Sequence, residues 1–423
     1  MGKQGHLKVL VSAYACEPHR GSEPGVGWNW AVQAARDHDV CVLTWTKFRE
    51  PIERYLGEHA NPNLHVVYYD LPRWARRFAI SERLHYLLWQ LFVLPLARRL
   101  QKRERFDVVH HLTFNSVEVP GLLWTLGVPY VWGPVGGGQV PPAALKSYFK
   151  SVWLAEMARG LRKRFLSFNP LVRIAAKRAA YILVSNRDTM KLLQPLARAP
   201  LIEEMEIATR LPDCVAPAPR EDCLTILWAG RFIPRKGPLL ALDVANELKR
   251  RDLPFRMLMA GDGPWEEKVT HQRMMMGLTR EVRQVGALSY GQMPSFYAGG
   301  DVFLFTSLQD TSGNVVLEAM SYGLPVVSLD QHGAATLLTD ECGIKVPVVS
   351  QRQVVQDMAS ALEKLARDRQ LGLELGAAGR ERVACHYTWD HKAALLRRLY
   401  AEAAGVPCGP EPQARALVTA ADE

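Results

Sequence analysis

Short apolar runs recur along the chain, separated by stretches whose apolar residues repeat at helical spacing. In the first half the runs are Leu7–Tyr14, Asp39–Thr46, Leu64–Tyr69, Phe106–Leu112, Tyr130–Trp132 and Tyr181–Ser185. A proline-containing stretch, Leu211–Pro219, follows, and the alternation restarts with Leu224–Ala229, Phe255–Gly261, Val282–Leu288, Val302–Phe305 and Pro325–Leu329. Runs apolar on both faces fit strands covered by helices on either side, so the pattern predicts an α/β chain with doubly wound parallel sheets. Its restart predicts two such domains, 1–212 and 213–388. Helices are expected over Trp28–Arg36, Pro238–Arg250, Val315–Tyr322 closed by Gly323, Gln351–Arg367 and Cys385–Ala404, and the polar stretch 405–423 is expected to fray or be disordered.

Composition sharpens this only in places. The 423 residues, 48% of them apolar, can bury two sizeable cores. Seven cysteines are scattered without a C-x-x-C pair, so reduced thiols are expected and neither a zinc site nor a disulfide framework is indicated. The net charge of +9 is unevenly placed: residues 1–212 carry 29 Lys and Arg against 17 Asp and Glu, the remainder 23 against 26. The excess concentrates in Arg73–Arg105 and Lys146–Arg178, where cations interleave with Trp, Phe, Leu and Tyr. An anionic membrane surface is the expected partner for such segments, with no nucleic acid; the alternative is a solvated rim around core-facing apolar residues. No stretch approaches the roughly 18 uncharged residues of a membrane span, and Met1–Ala13 lacks a signal-peptide pattern, so a cytoplasmic protein, peripheral on the inner face of the membrane, is expected.

Candidate chemistry gathers at strand ends. The loop Gln309–Asn314 lies between a buried strand and a helix, where free backbone N–H groups would attract an anion. Gly313 permits close approach of a ligand, and Glu318, just over a turn into the helix, could accept hydrogen bonds from hydroxyls. Alternatively Asp310, Thr311 or Ser312 only caps the helix. Arg231 and Lys236 follow the first strand of the second half, a basic turn or a pair of cations for phosphate. Gly25 and Gly27 stand in a glycine loop after the first strand, without the third glycine of a dinucleotide fingerprint. His110 and His111 are adjacent on a strand and must face opposite sides, so at most one reaches a cleft. Gly136 and Gly137, in the glycine run after Trp132, suit close backbone approach or a hinge on the acceptor side.

Asp310, seven residues, Glu318, then Ala-Met-x-x-Gly-x-Pro-Val-Val resembles the paired-acid signature of the retaining family 4 glycosyltransferases, glycosyl transferases group 1, of GT-B fold. The resemblance implies two Rossmann-like domains facing a central cleft, with the final helix, about 389–404, crossing back to the first domain. It implies a nucleotide-sugar donor and a glycan or lipid-linked acceptor, in bacterial-type exopolysaccharide, lipopolysaccharide or glycolipid assembly. In that family the second acid, here Glu318, binds ribose; the first, usually Glu and here the shorter Asp310, contacts the transferred sugar. Amides near Gly313, Asn314 and Val315 hold diphosphate and sugar, the Arg and Lys at 231 and 236 neutralise the diphosphate, and a glycine loop such as Gly25–Gly27 faces the donor. A strand-end histidine touches the sugar, but V-H-H-L replaces the usual V-H-x-H, leaving His110 and His111 both open. No cofactor and no metal is implied, and the sole D-x-D, Asp37-His38-Asp39, falls away from the expected site. An epimerase of the same fold and a non-catalytic sugar-nucleotide scaffold are the competing readings.

Overall fold

The computed structural model describes residues 6–114, 116–212 and 223–408. Most of the predicted linker and the tail beyond residue 408 lie outside them. The first sheet contains β1 (Lys8–Ala13), β2 (Asp39–Trp45), β3 (Leu64–Tyr69), β4 (Val108–Thr113), β5 (Tyr130–Val135), β6 (Ala179–Val184) and β7 (Leu201–Glu203). They pair in parallel in the order β3-β2-β1-β4-β5-β6-β7. The second contains β8 (Leu224–Ala229), β9 (Phe255–Ala260), β10 (Val282–Gly286), β11 (Val302–Phe305), β12 (Val326–Leu329) and β13 (Gly343–Val346), in the order β10-β9-β8-β11-β12-β13. Strands β4, β5, β8, β11 and β12 are buried along their whole length, which is why each reads as an unbroken apolar run.

In both sheets the direction of winding reverses beside the first strand, between β1 and β4 and between β8 and β11. Loops leave the sheet there on opposite sides and open a crevice at the carboxyl ends. The two crevices meet, because the loop after β11 touches loops after β5, β6 and β7.

Several elements depart from the expected pattern. The first helix is Ser22–Ala34, starting well before Trp28, with Gly25 and Gly27 inside it. The run Gly133–Val135, expected as loop, continues β5. Two helices, Arg369–His386 and Trp389–Ala404, replace one from Cys385, broken where the Thr388 side chain caps the second. The short strands β7 and β13 gave no clear apolar run, since residues in each are only half-buried. The last helix packs on Ser22–Ala34, and its Leu395, Leu396, Leu399 and Tyr400 join the first core.

Residues 143–153 belong to the first half in sequence but to the second in packing. Leu145, Tyr148 and Phe149 are buried in the second core. Tyr148 Oη donates to Asp243 at 2.5 Å and Ser147 Oγ to Gln351 at 2.6 Å. Leu145 and Phe149 are fully buried, which contributes roughly 1.5–3 kcal/mol each toward holding the halves together.

Candidate functional site

A cavity of about 340 Å³ lies where the two sets of strand ends meet. Its wall combines Ser22, Glu23 and Glu206 from the first half with Lys236, Asp310, Thr311, Ser312, Asn314 and Val315 from the second, among others. The acid loop is built as its sequence suggested. Gly313 takes φ +81°, a conformation that opens the helix Asn314–Ser321 with its first N–H groups free of side-chain caps. Capping by Asp310, Thr311 or Ser312 therefore does not account for these residues. Thr311 and Ser312 instead bond to the first half of the chain.

Lys236 ends a single 3-10 turn, Pro234–Lys236, and its ammonium pairs with Asp310 Oδ2. Ser307 Oγ donates to the same oxygen at 3.4 Å. The two charges neutralise one another inside the cavity wall, so an entering anion must share or displace the Asp310 carboxylate. Arg231 is exposed, directly after the cavity residue Gly230; its side chain has no hydrogen-bond or ion-pair partner among the described residues. Glu318, half-buried, is not among the residues that line the cavity. Burial pushes its carboxyl above the usual range, opposed by a 2.7 Å hydrogen bond from Tyr297 Oη.

The glycines of the first half act by close packing. A Cβ on Gly25 would collide with the Arg20 carbonyl and one on Gly27 with the Ala15 carbonyl. They seat the helix against the 15–20 loop, while Ser22, Glu23 and Val26 between and before them line the cavity. Ser22 itself has φ +63°, strained for a residue with a side chain. Gly136 lies at the interdomain contact, and Gly137 after it faces Val117 of the first half. The backbone of Gly136 is so close to Thr311 that a Cβ would strike its methyl group, and Gln139 Nε2 donates to Thr311 Oγ1 at 2.7 Å. Gln309 Nε2 donates to Gln139 O at 3.1 Å and Asn186 Nδ2 to Thr311 O at 3.0 Å. A further pair, His332 Nδ1 with Asp188 Oδ2 at 2.7 Å, holds the Asp188 carboxyl below its usual range.

Neither His110 nor His111, both left open by the sequence, is among the residues that line this cavity. The Nδ1 of His110 is 2.6 Å from Tyr400 Oη and its Nε2 2.6 Å from the Gly133 carbonyl, so Nε2 carries the proton and Nδ1 accepts. Burial lowers its pKa to about 4. His110 is thus a fully bonded core histidine joining β4 to the last helix. His111 faces the other way: its Nε2 meets Tyr86 Oη at 3.1 Å, its Nδ1 is buried without a partner, and burial lowers its pKa to about 3.

Sequence reasoning passed over Glu206. It follows β7 in a run of alternating acidic and apolar residues that carries no motif, yet it lines the cavity at 7% exposure. Ser312 Oγ donates to its Oε1 at 2.7 Å, and Oε2 has no hydrogen-bond partner. Among the described residues no group of three or more His, Cys, Asp or Glu is placed to hold a metal ion. Asp37 and Asp39 of the D-x-D triplet pair with Arg397 and His6 near the amino ends of the strands, away from the cavity.

Residues 223–368 match the model of a family described as glycosyl transferases group 1. A GDP-mannose-dependent alpha-(1-6)-phosphatidylinositol monomannoside mannosyltransferase of Mycobacterium tuberculosis is 28% identical over 179 residues, covering 41% of this chain and 46% of the relative. The chain thus spans about half the length of that curated relative. Among solved structures, a glycosyltransferase from Rickettsia africae superposes with a TM-score of 0.64 at 13% identity, over 94% of this chain and 98% of that one. Anabaena HepE in complex with UDP-glucose gives 0.57 at 15%, over 94% and 100%. Both likenesses extend over the two sheets, so the fold is the GT-B arrangement of two Rossmann-like domains.

Proposed function

We propose that this chain, whose residues 223–368 belong to the glycosyl transferases group 1, moves a sugar from a nucleotide-sugar donor to a hydroxyl of a glycan or lipid-linked acceptor. The observation that carries the reading is the cavity where both sheets end, in which a lysine and the free N–H groups of a helix start stand beside carboxyl and hydroxyl groups. A diphosphate needs the first set and a sugar the second. In this reading Lys236, with Arg231 at the rim, and the amides at Gly313, Asn314 and Val315 hold the diphosphate. Glu318 binds ribose, and Asp310 turns from Lys236 to the sugar. The bond from C1 to the diphosphate oxygen breaks, the acceptor oxygen joins C1 on the same face, and its proton passes to the departing diphosphate. Configuration is retained, and the two cations supply the charge that a divalent ion gives other transferases.

A thermal-shift screen against UDP-, GDP-, ADP- and dTDP-sugars, with and without EDTA, tests this. One nucleotide class is expected to raise the midpoint whether or not EDTA is present. At a hundredfold excess over Kd the stabilisation is about 2.7 kcal/mol. No shift with any of them would sink the reading.

The acceptor is proposed to be lipid-linked and reached from an anionic membrane surface, consistent with the phosphatidylinositol-based acceptor in the mycobacterial relative's name. Among the described residues no helix is long and apolar enough to cross a membrane. The two basic segments nevertheless turn large apolar side chains outward: Ile80 is 88% exposed, Leu154 77% and Phe168 72%. Glu118 joins the two segments, pairing with Arg83 at 2.5 Å and with Arg162 at 3.9 Å. Apolar groups ringed by cations suit an anionic headgroup layer better than water. Sedimentation with phosphatidylglycerol vesicles should carry the protein down, phosphatidylcholine vesicles should not, and Leu154→Ser with Phe168→Ser should weaken binding about tenfold. Equal binding by the double variant would refute the surface.

A further inference from the structure

Resting on the transferase reading, we infer that Glu206 is a specificity-determining residue that hydrogen-bonds a hydroxyl of the transferred sugar. The backbone that carries the carboxyl is fixed in place. Trp30 Nε1 donates to the Glu206 carbonyl at 2.8 Å, and Lys392 Nζ donates to the preceding carbonyl, Met205 O, at 2.7 Å. Lys392 also pairs with Glu204, fixing the backbone of this segment from the last helix. Ser312 Oγ engages Oε1. Oε2 is left without a partner in a residue that lines the cavity. Ser185 Oγ lies near the carboxyl, outside hydrogen-bond geometry.

A buried polar atom without a partner is costly, and one in a residue lining a cavity calls for a group that enters and completes it. The ligand that fits is neutral and hydroxylated. Asp310, across the cavity, is a second carboxyl, and burial together with that neighbour pushes Glu206 above the usual carboxylate range. A carboxyl in either charge state accepts from a sugar hydroxyl, whereas a phosphate offers no donor in return. The diphosphate belongs to the Lys236 side, so the group meeting Glu206 is the sugar.

Glu206→Ala and Glu206→Gln, compared with the wild type in calorimetric titrations, test the assignment with free UDP and GDP, with UDP-glucose and GDP-mannose, and with the singly deoxygenated forms of whichever donor binds. Glu206→Ala is expected to weaken sugar-nucleotide binding about tenfold and leave free nucleoside diphosphate within about twofold. Glu206→Gln, which keeps a donor and an acceptor of the same shape, should recover most of the loss. One deoxy donor should bind the wild type more weakly than the parent donor yet bind Glu206→Ala no worse than the parent does. Equal loss for nucleotide and sugar nucleotide would mean that Glu206 only ties the halves through Ser312, and no loss would remove it from the site; either overturns the inference while leaving the transferase reading intact. Failure of the wild type to bind any nucleotide would overturn both.

Discussion

Lys236→Ala is expected to reduce donor turnover about 100- to 1,000-fold, mostly in kcat. Its ammonium is the cation inside the cavity wall, and its hold on the departing diphosphate strengthens as negative charge develops during bond cleavage. Ground-state donor binding should suffer less, because the helix-start amides remain. The substitution also strips Asp310 of its partner in a site only 17% exposed for that side chain, adding repulsion toward any phosphate. Lys236→Arg keeps the charge at a different geometry and should recover part of the rate. Steady-state kinetics of donor hydrolysis or transfer, with kcat and KM separated, decide the matter. A loss below about tenfold would place the diphosphate elsewhere.

The largest stability effect is expected at Lys392. The side chain is fully buried, its ammonium pairs with Glu204, and it also donates to Met205 O. Removing it as Lys392→Ala leaves Glu204 as a buried charge whose remaining ion-pair partner among the described residues is His391 at 3.7 Å, and is expected to cost about 3–5 kcal/mol. Adding Glu204→Gln should return part of the loss, since the uncompensated charge rather than the missing attraction is the main penalty. Burial alone would raise the Glu204 pKa, but Lys392 and His391 more than offset it and the net shift is downward. A carboxyl whose folded pKa is depressed stabilises the fold above its ordinary pKa, and loses that contribution as pH falls through the folded value. The gap between wild type and Lys392→Ala should therefore narrow in acid. Denaturant midpoints at neutral and acidic pH measure it; a midpoint unchanged by Lys392→Ala would refute the account.

How much was readable before folding varies from residue to residue. Strands β8 and β11 and the helices Pro238–Arg250 and Gln351–Arg367 occupy the very spans that periodicity gave them, because burial on both faces, or on one stripe, leaves its mark within a few neighbouring positions. Gly313 and the helix after it were legible for the same reason: a turn that needs positive φ selects its residue locally. The histidines were half legible. Adjacent strand positions must face opposite ways, but that Tyr400, 290 residues along the chain, would bond His110 depends on the last helix crossing back.

Glycine shows the same limit. The glycine run at Gly136 announced close approach of backbone without revealing Thr311 as the partner, and Gly25 and Gly27, expected in a loop facing a donor, lie within a helix against the Arg20 and Ala15 carbonyls. The outward turn of Ile80, Leu154 and Phe168 could not be told from core packing, since a helical stripe reads alike whether a core or a lipid surface is to cover it. Periodicity, turn residues and the spacing of Asp310 and Glu318 therefore determined the two-sheet architecture and the place of the acid loop, all being properties of neighbours in the chain. The strap at 143–153, the pairing of Lys236 with Asp310 and the placing of Glu206 against Ser312 were settled by packing. Each joins residues tens to more than a hundred positions apart, where no local pattern carries information and only the meeting of two domains brings the atoms together.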